Sequence, residues 1–247
     1  MDSKERFTAC ADVYVKYRPS YPPEAIDCLM AACGLAPGMA VADIGAGTGK
    51  LARLLLERGL AVHAVEPNDA MRGAMEQALA GAPGLHPVRA SAEETGLPAT
   101  SVEAVTAAQA FHWFDRARFK EECRRILKPG GKVALVWNKR DLSDPFMAAY
   151  EDVIQANHDD MPNRTMHDIE EAYAPFFAHY NIHRIASWQS LDFEGLVGRA
   201  LSSSYAPQPG HPRHAALLDA LRGLFERYNR DGRVTFVYRT EVVVGKI

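Results

Sequence analysis

The segment Val41-Ala-Asp-Ile-Gly-Ala-Gly-Thr-Gly49 sets glycines at positions 45, 47 and 49, behind a short apolar run and ahead of Lys50 to Arg58, where Leu51, Leu54 and Leu55 fall at helical spacing. A strand turning through glycine into a helix lets a ligand approach the backbone without Cβ obstruction. Three nucleotide-type readings separate by position. A phosphate loop needs glycine where Ile44 stands and Ser or Thr where Leu51 stands. The dinucleotide fingerprint needs glycine where Lys50 stands. What the segment does form is D-x-G-x-G-x-G opening at Asp43. Glu66 follows the last motif glycine by 66 − 49 = 17 residues, at the end of a second strand-like run. A carboxylate there accepts hydrogen bonds from both ribose hydroxyls, as in nicotinamide enzymes. His112 follows a fourth strand-like run, at the sheet edge where such folds bind ligands, and is the candidate substrate-facing group. His158-Asp-Asp160 and His167-Asp168 invite a metal reading. They are expected to form a solvated face, and no metal is expected.

D-x-G-x-G-x-G is the first motif of class I S-adenosylmethionine-dependent methyltransferases, which this chain resembles. The resemblance is to the type 11 group of small-molecule enzymes that includes trans-aconitate methyltransferase. Ser91-Ala-Glu-Glu-Thr-Gly-Leu-Pro98 occupies the place of that group's D-A-E-x-L-P segment, with serine for the usual aspartate. Ala108-Gln-Ala-Phe-His-Trp-Phe-Asp115 matches its A-x-x-F-H-W-x-D, and Leu127-Lys-Pro-Gly-Gly131 its turn before strand five. Tyr14 and Arg18-Pro-Ser-Tyr-Pro22 resemble a segment that folds over the methionine end of the cofactor. The resemblance implies S-adenosylmethionine held by Tyr14, Arg18, Asp43, Gly45, Ala46, Gly47, Glu66, Pro67, Ser91, Ala92, Glu93 and Gln109. Tyr14, Tyr21 and Trp113 would close over the methionine portion, with Trp113 also toward the substrate. Asn138, Arg140 and Tyr205, just after strand five or in the capping region, are expected as substrate contacts by position. Ser202-Ser-Ser-Tyr205 resembles an S-x-S-Y element of related chains and reads equally as a polar helix end. Magnesium-dependent relatives carry an aspartate after strand four and an Asp-Asn pair after strand five. Gln109 and Trp137-Asn138 stand there instead, so that scheme does not fit.

Positioning these groups requires alternating strands and helices. Met39 to Ile44, Ala61 to Val65, His86 to Ala90, Val102 to Ala108 and Lys132 to Trp137 read as strands. Asp69 to Ala80, begun by Asn68 or Asp69, reads as a helix, as does Ala117 to Leu127, stopped by Pro129-Gly130-Gly131. Helices are expected at Leu196 to Ser203 and His214 to Tyr228, and final strands at Ile182 to Leu191 and Val234 to Val244. The expected fold is α/β: a Rossmann-like, doubly wound seven-stranded sheet with its last strand antiparallel, plus a helical cap. One domain over 1–247 is expected. Within it a cofactor-covering segment takes 1–38 and the cofactor core 39–138. Cap and connecting helices take 139–185 and 194–230, and the last two strands 182–191 and 234–246.

Composition narrows the partners. Twenty-eight basic against 31 acidic side chains give a net charge of −3, without the excess that nucleic-acid binding needs. No run approaches the roughly 20 apolar residues of a membrane span, and no apolar leader opens the chain. The four cysteines form no C-x-x-C pair and read as reduced thiols in a cytoplasmic protein. The expected activity is methyl transfer to a small-molecule acceptor by in-line displacement, with O-methylation of an organic acid the leading choice. The alternatives are a non-catalytic S-adenosylmethionine-binding protein and an NAD(P)-dependent oxidoreductase, the latter opposed by Lys50. Oligomeric state is not readable.

Overall fold

Short apolar runs bounded by turns, alternating with one-faced helices, build a parallel sheet covered on both sides. The computed structural model of the protein describes residues 17–157, 171–203 and 206–247. Its strands are β1 (Ala40–Ile44), β2 (Ala61–Val65), β3 (Leu85–Val88), β4 (Val102–Ala108), β5 (Leu127–Arg140), β6 (His179–Leu191) and β7 (Val234–Lys246). The helices described are α1 (Pro23–Cys33), α2 (Lys50–Leu56), α3 (Asp69–Ala78), α4 (Arg116–Ile126), α5 (Pro145–Asn157), α6 (Tyr173–Phe176), α7 (Phe193–Leu201) and α8 (His214–Tyr228). The strands form one sheet in the order β3-β2-β1-β4-β5-β7-β6. β1 to β5 pair in parallel, with Val41 opposite Val62 on one side and Ala104 on the other. β7 is antiparallel. Because β1 lies between β2 and β4, the chain winds away from it in both directions and leaves a crevice at the carboxyl ends of these strands.

The chain falls into two compact units. In one, the described residues are 20–138, 171–185 and 240–247. β5 alternates: Val133, Leu135 and Trp137 join a core with Phe119, Cys123 and Phe176, while Ala134 and Val136 join another with Ile26, Leu29 and Leu55. A seven-residue helix such as α2 is not stable alone. Leu51, Ala52 and Leu55, each at most 3% exposed, hold it by burial worth roughly 1.5–3 kcal/mol per fully buried leucine. The other unit, described over 17–19, 139–157, 186–203 and 206–239, has its own core, where Phe146, Tyr150, Leu196, Leu217, Leu221 and Phe236 meet.

Three local readings change. α1 lies within 1–38, where no helix was expected; Pro23 sits in its first turn and Ala25, Ile26 and Leu29 are buried. α4 ends at Ile126, before Pro129 acts. The Thr100 and Ser101 N–H groups donate to the Arg125 and Ile126 carbonyls at 2.9 and 2.8 Å, and Leu127 already pairs with Val102. Third, β5 opens at Leu127 and β6 at His179, earlier than the apolar runs suggest. Asn68 starts α3, its Oδ1 accepting from the Met71 N–H at 3.0 Å. Among the described residues no helix is long and apolar enough to cross a membrane.

Candidate functional site

The glycine turn leaves β1 and is pinned to the end of β2 at two points. The Gly45 and Ala46 N–H groups donate to one carbonyl, that of Val65, at 2.9 and 3.1 Å. The Gly47 N–H donates to Glu66 Oε2 at 2.8 Å, and Glu66 Oε1 accepts from the Asn68 N–H at 2.8 Å. Glycine is required at two positions for different reasons. Gly45 has φ 68°, and a Cβ there would lie 2.7 Å from the Ala110 Cβ. Gly47 has φ 57°, but the nearest atom to a Cβ there is 4.0 Å away, so the space before it is open. One glycine is set by protein packing; the other faces room for a ligand.

Asp43 is 1% exposed and Glu66 8%. The Thr106 hydroxyl donates to Asp43 Oδ1 at 2.9 Å, while Oδ2 has no hydrogen-bond partner among the described residues. Burial pushes the Asp43 carboxyl up to about 7, against the pull of the Thr106 hydroxyl and with a further push from the Glu66 charge. Burial also raises Glu66, opposed by the Asn68 and Gly47 amides and by Arg72. The Thr48 hydroxyl is buried without a partner among the described residues. The turn therefore offers one unused buried carboxylate oxygen and one unused hydroxyl beside open backbone, a donor set for cationic and hydroxyl groups.

At the ends of β4 and β5 the chain is bent into place. Gln109 takes φ 56°, left-handed for a non-glycine residue, and its N–H donates to the Val136 carbonyl at 2.9 Å. That bend delivers the 3-10 turn Phe111–Trp113. The His112 ring packs against Trp113 at 4.6 Å between centroids and Trp137 at 5.6 Å; Trp113 is 42% exposed and Trp137 buried. Ser91 bridges to Glu94, and Ala92 is buried. Glu93 Oε1 accepts from the Asp115 N–H at 2.9 Å, so this carboxylate fastens the two cofactor-side segments together. Pro67 lies between Glu66 and the α3 cap.

Not all expected contacts converge. The Asn138 side chain is engaged at both ends, donating to the Ser20 carbonyl at 3.1 Å and accepting from the Thr240 hydroxyl at 2.7 Å. Tyr21 packs in the core with Ile26 and Leu29. Arg18 and Arg140 belong to the other unit, where Arg18 Nη2 donates to the Ser202 carbonyl at 2.9 Å and Arg140 pairs with Glu151 at 2.8 Å. Tyr14, Tyr205, His158-Asp-Asp160 and His167-Asp168 lie outside the described residues. Arg125, in the last turn of α4, and Lys128, just beyond it, pair with Glu122 and Glu103.

The Methyltransferase domain family matches residues 42–135, which contain the turn, Glu66 and the His112 segment. The chain is 41% identical over 227 residues to an uncharacterized methyltransferase of Mycobacterium tuberculosis, covering 90% of this chain and 86% of that one. The chain belongs to the methyltransferase family. Among solved structures, a candidate type II methyltransferase from Anaeromyxobacter dehalogenans aligns with a TM-score of 0.69 at 25% identity, over 93% of this chain and 98% of that one. The phosphoethanolamine N-methyltransferase 2 of Haemonchus contortus, solved with S-adenosylmethionine, aligns at 0.59 and 17% identity, over 100% of this chain and 60% of that one. With its D-x-G-x-G-x-G turn on this sheet order, the methyltransferase is of class I and S-adenosylmethionine-dependent.

Sequence reading missed what steadies the methyltransferase's 91–98 segment. Glu122 Oε1 accepts from the Thr95 N–H and hydroxyl, and Arg125 clamps the same carboxylate while donating to the Leu97 carbonyl at 2.7 Å. Hydrogen bonding from Arg125 leads the forces that bring Glu122 down to about 2. A Glu-x-x-Arg pair on a helix is a common surface pattern, and nothing local marks this one as reaching across 27 residues to Thr95.

Proposed function

We propose that the methyltransferase O-methylates a small organic acid, with S-adenosylmethionine bound along the carboxyl ends of β1, β2 and β4. S-adenosylmethionine supplies a methyl group carried on a sulfonium. The observation that carries the reading is the turn itself: open backbone at Gly47 flanked by the buried carboxylates of Asp43 and Glu66, chemistry that suits a cation and a ribose and repels phosphate. Each Glu66 oxygen accepts one amide and keeps a lone pair for a ribose hydroxyl. Asp43 places negative charge behind the turn. Gly45, Ala46 and Pro67 shape the floor, Ser91 and Ala92 line the adenine, and Glu93 and Gln109 act by holding the segments that border it. Tyr14 and Arg18 are assigned to the methionine end by family resemblance.

With S-adenosylmethionine bound, its methyl group would pass to the acceptor oxygen by in-line displacement and leave the thioether, and because an ionised carboxylate has no proton to lose, an acid acceptor would need no general base from this chain. His112, packed between Trp113 and Trp137, orients or neutralises that carboxylate. A net charge of −3 favours a small acceptor over nucleic acid, and the free thiols of Cys28, Cys33 and Cys123 suit the cytoplasm.

Calorimetry with S-adenosylhomocysteine tests the cofactor site. A screen of metabolite extract with methyl-labelled cofactor tests the acceptor, because a methyl ester releases labelled methanol in mild base whereas N- and C-methyl products keep their label. Base-stable label in every product would end the organic-acid reading.

A further inference from the structure

Trp137 is the last buried residue of β5, 2% exposed, and stands one position before Asn138. It lies at the same carboxyl edge of the parallel strands as the glycine turn, Glu66 and Gln109. The packing of its ring is explained by the core it shares with Phe111, Phe119 and Phe176. Its nitrogen is not explained by packing: Nε1 is buried and has no hydrogen-bond partner among the described residues. A phenylalanine in that slot would strand no donor, so packing alone does not account for the indole nitrogen. The neighbouring rings lead outward from it. His112 lies 5.6 Å from Trp137, and Trp113, 4.6 Å from His112, is 42% exposed.

We propose that the Trp137 Nε1–H is a specificity-determining contact that donates to an oxygen lone pair of the methyl acceptor, favouring carboxylates over protonated amines. This deepens the acceptor reading above and rests on it. An indole nitrogen only donates, an ionised carboxylate only accepts, and an ammonium brings only further donors. In a place closed to water the bond does not compete with solvent, and a donor facing an ionised acceptor makes a bond about twice as strong as one between neutral groups. The selection therefore works by matching and by rejection: an amine of the same skeleton leaves the indole unpaired and sets two donors against each other.

The test uses the full chain labelled with 15N-tryptophan. Its three tryptophans give three indole signals, and that of Trp137 is the last to exchange in deuterated water, since Trp113 and Trp188 are 42% and 74% exposed. With S-adenosylhomocysteine present, succinate, tricarballylate and benzoate are titrated against 1,4-diaminobutane. The expected result is a downfield shift of the Trp137 indole proton with at least one acid and none with the diamine. In Trp137→Phe, that acid binds about 10- to 100-fold more weakly while S-adenosylhomocysteine affinity stays within about twofold. An indole proton unmoved by every acid, or moved equally by the diamine, overturns the proposal, as does wild-type affinity in Trp137→Phe. The wild-type titration decides the matter without the variant if Trp137→Phe does not fold. Failure to bind S-adenosylhomocysteine would refute the cofactor reading instead, and the acid titration, run without it, still decides the role of Trp137.

Discussion

Asp43 gives the turn a measurable pH signature. Its carboxyl titrates near 3.8 in an unstructured chain and is raised to about 7 by burial in the fold. Between those values the unfolded chain carries the charge and the folded protein holds the proton, so stability is fully present below about pH 4 and falls as pH rises toward 7. The slope is roughly 1.4 kcal/mol per pH unit. From pH 5 to pH 8 the loss attributable to Asp43 is thus about 3 kcal/mol, complete at about 7. Asp43→Asn keeps the size and an acceptor for the Thr106 hydroxyl but cannot ionise. Urea unfolding at pH 5, 6, 7 and 8 is expected to find the asparagine variant more stable throughout, by about 1–2 kcal/mol at pH 5 and about 4–5 kcal/mol at pH 8, so that the gap widens by about 3 kcal/mol over that range. Glu66 titrates in both and largely cancels in the difference. A cationic ligand favours the carboxylate, so binding S-adenosylmethionine at pH 6 should release a proton, seen as a binding heat that varies with the ionisation enthalpy of the buffer. Stability curves that run parallel from pH 5 to pH 8 would refute the argument.

Further outcomes follow from the same geometry. Gly47→Ala should lower stability by only about 1–2 kcal/mol, the cost of the left-handed backbone, yet weaken S-adenosylhomocysteine binding at least tenfold. Gly45→Ala adds a clash with Ala110 and should cost roughly 2–4 kcal/mol; thermal melts and calorimetry read both, and equal melts would contradict the packing assignment. Glu66→Gln leaves one of two backbone N–H groups facing an amide NH2, so binding should weaken at least tenfold and stability fall by about 1–3 kcal/mol; unchanged affinity would remove the ribose assignment. His112→Ala should raise KM for an acid acceptor with S-adenosylhomocysteine affinity intact, and normal turnover would reduce His112 to scaffolding.

The cofactor half of the sheet was legible because its signals are local. A buried parallel strand is a short apolar run, and D-x-G-x-G-x-G must sit where such a run meets a helix. The antiparallel direction of the last strand followed from family resemblance, not from a local signal. What escaped was set by partners distant in sequence. Asn138 read as a substrate contact because it follows a strand, but its amide is taken by Ser20 and Thr240, 118 and 102 residues away. Glu93, expected among the cofactor contacts, spends one carboxylate oxygen on the Asp115 amide. The stop of α4 was assigned to Pro129, the nearest breaker in sequence, whereas the carbonyls that end the helix are claimed by Thr100 and Ser101. α1 is the exception, since Pro23 and the spacing of Ala25, Ile26 and Leu29 are local signals that announce it.

The strand order has a bearing on how the protein is made. β7 lies between β5 and β6 although it is the last of the seven to be synthesised. Until it arrives β6 has no neighbour in the sheet, and the β5 edge, including the carbonyls and amides beside Trp137 and Asn138, stands open as a template for other chains. The Thr240 hydroxyl that secures Asn138 comes with β7 as well. A ribosome emitting this chain therefore releases the glycine turn and its carboxylates early, while the β5 side of the sheet is completed only by β7. Conditions that delay that closure, such as slow translation of 234–246 or a substitution that weakens β7, should show up as aggregation of newly made protein before any loss of activity in the molecules that finish folding.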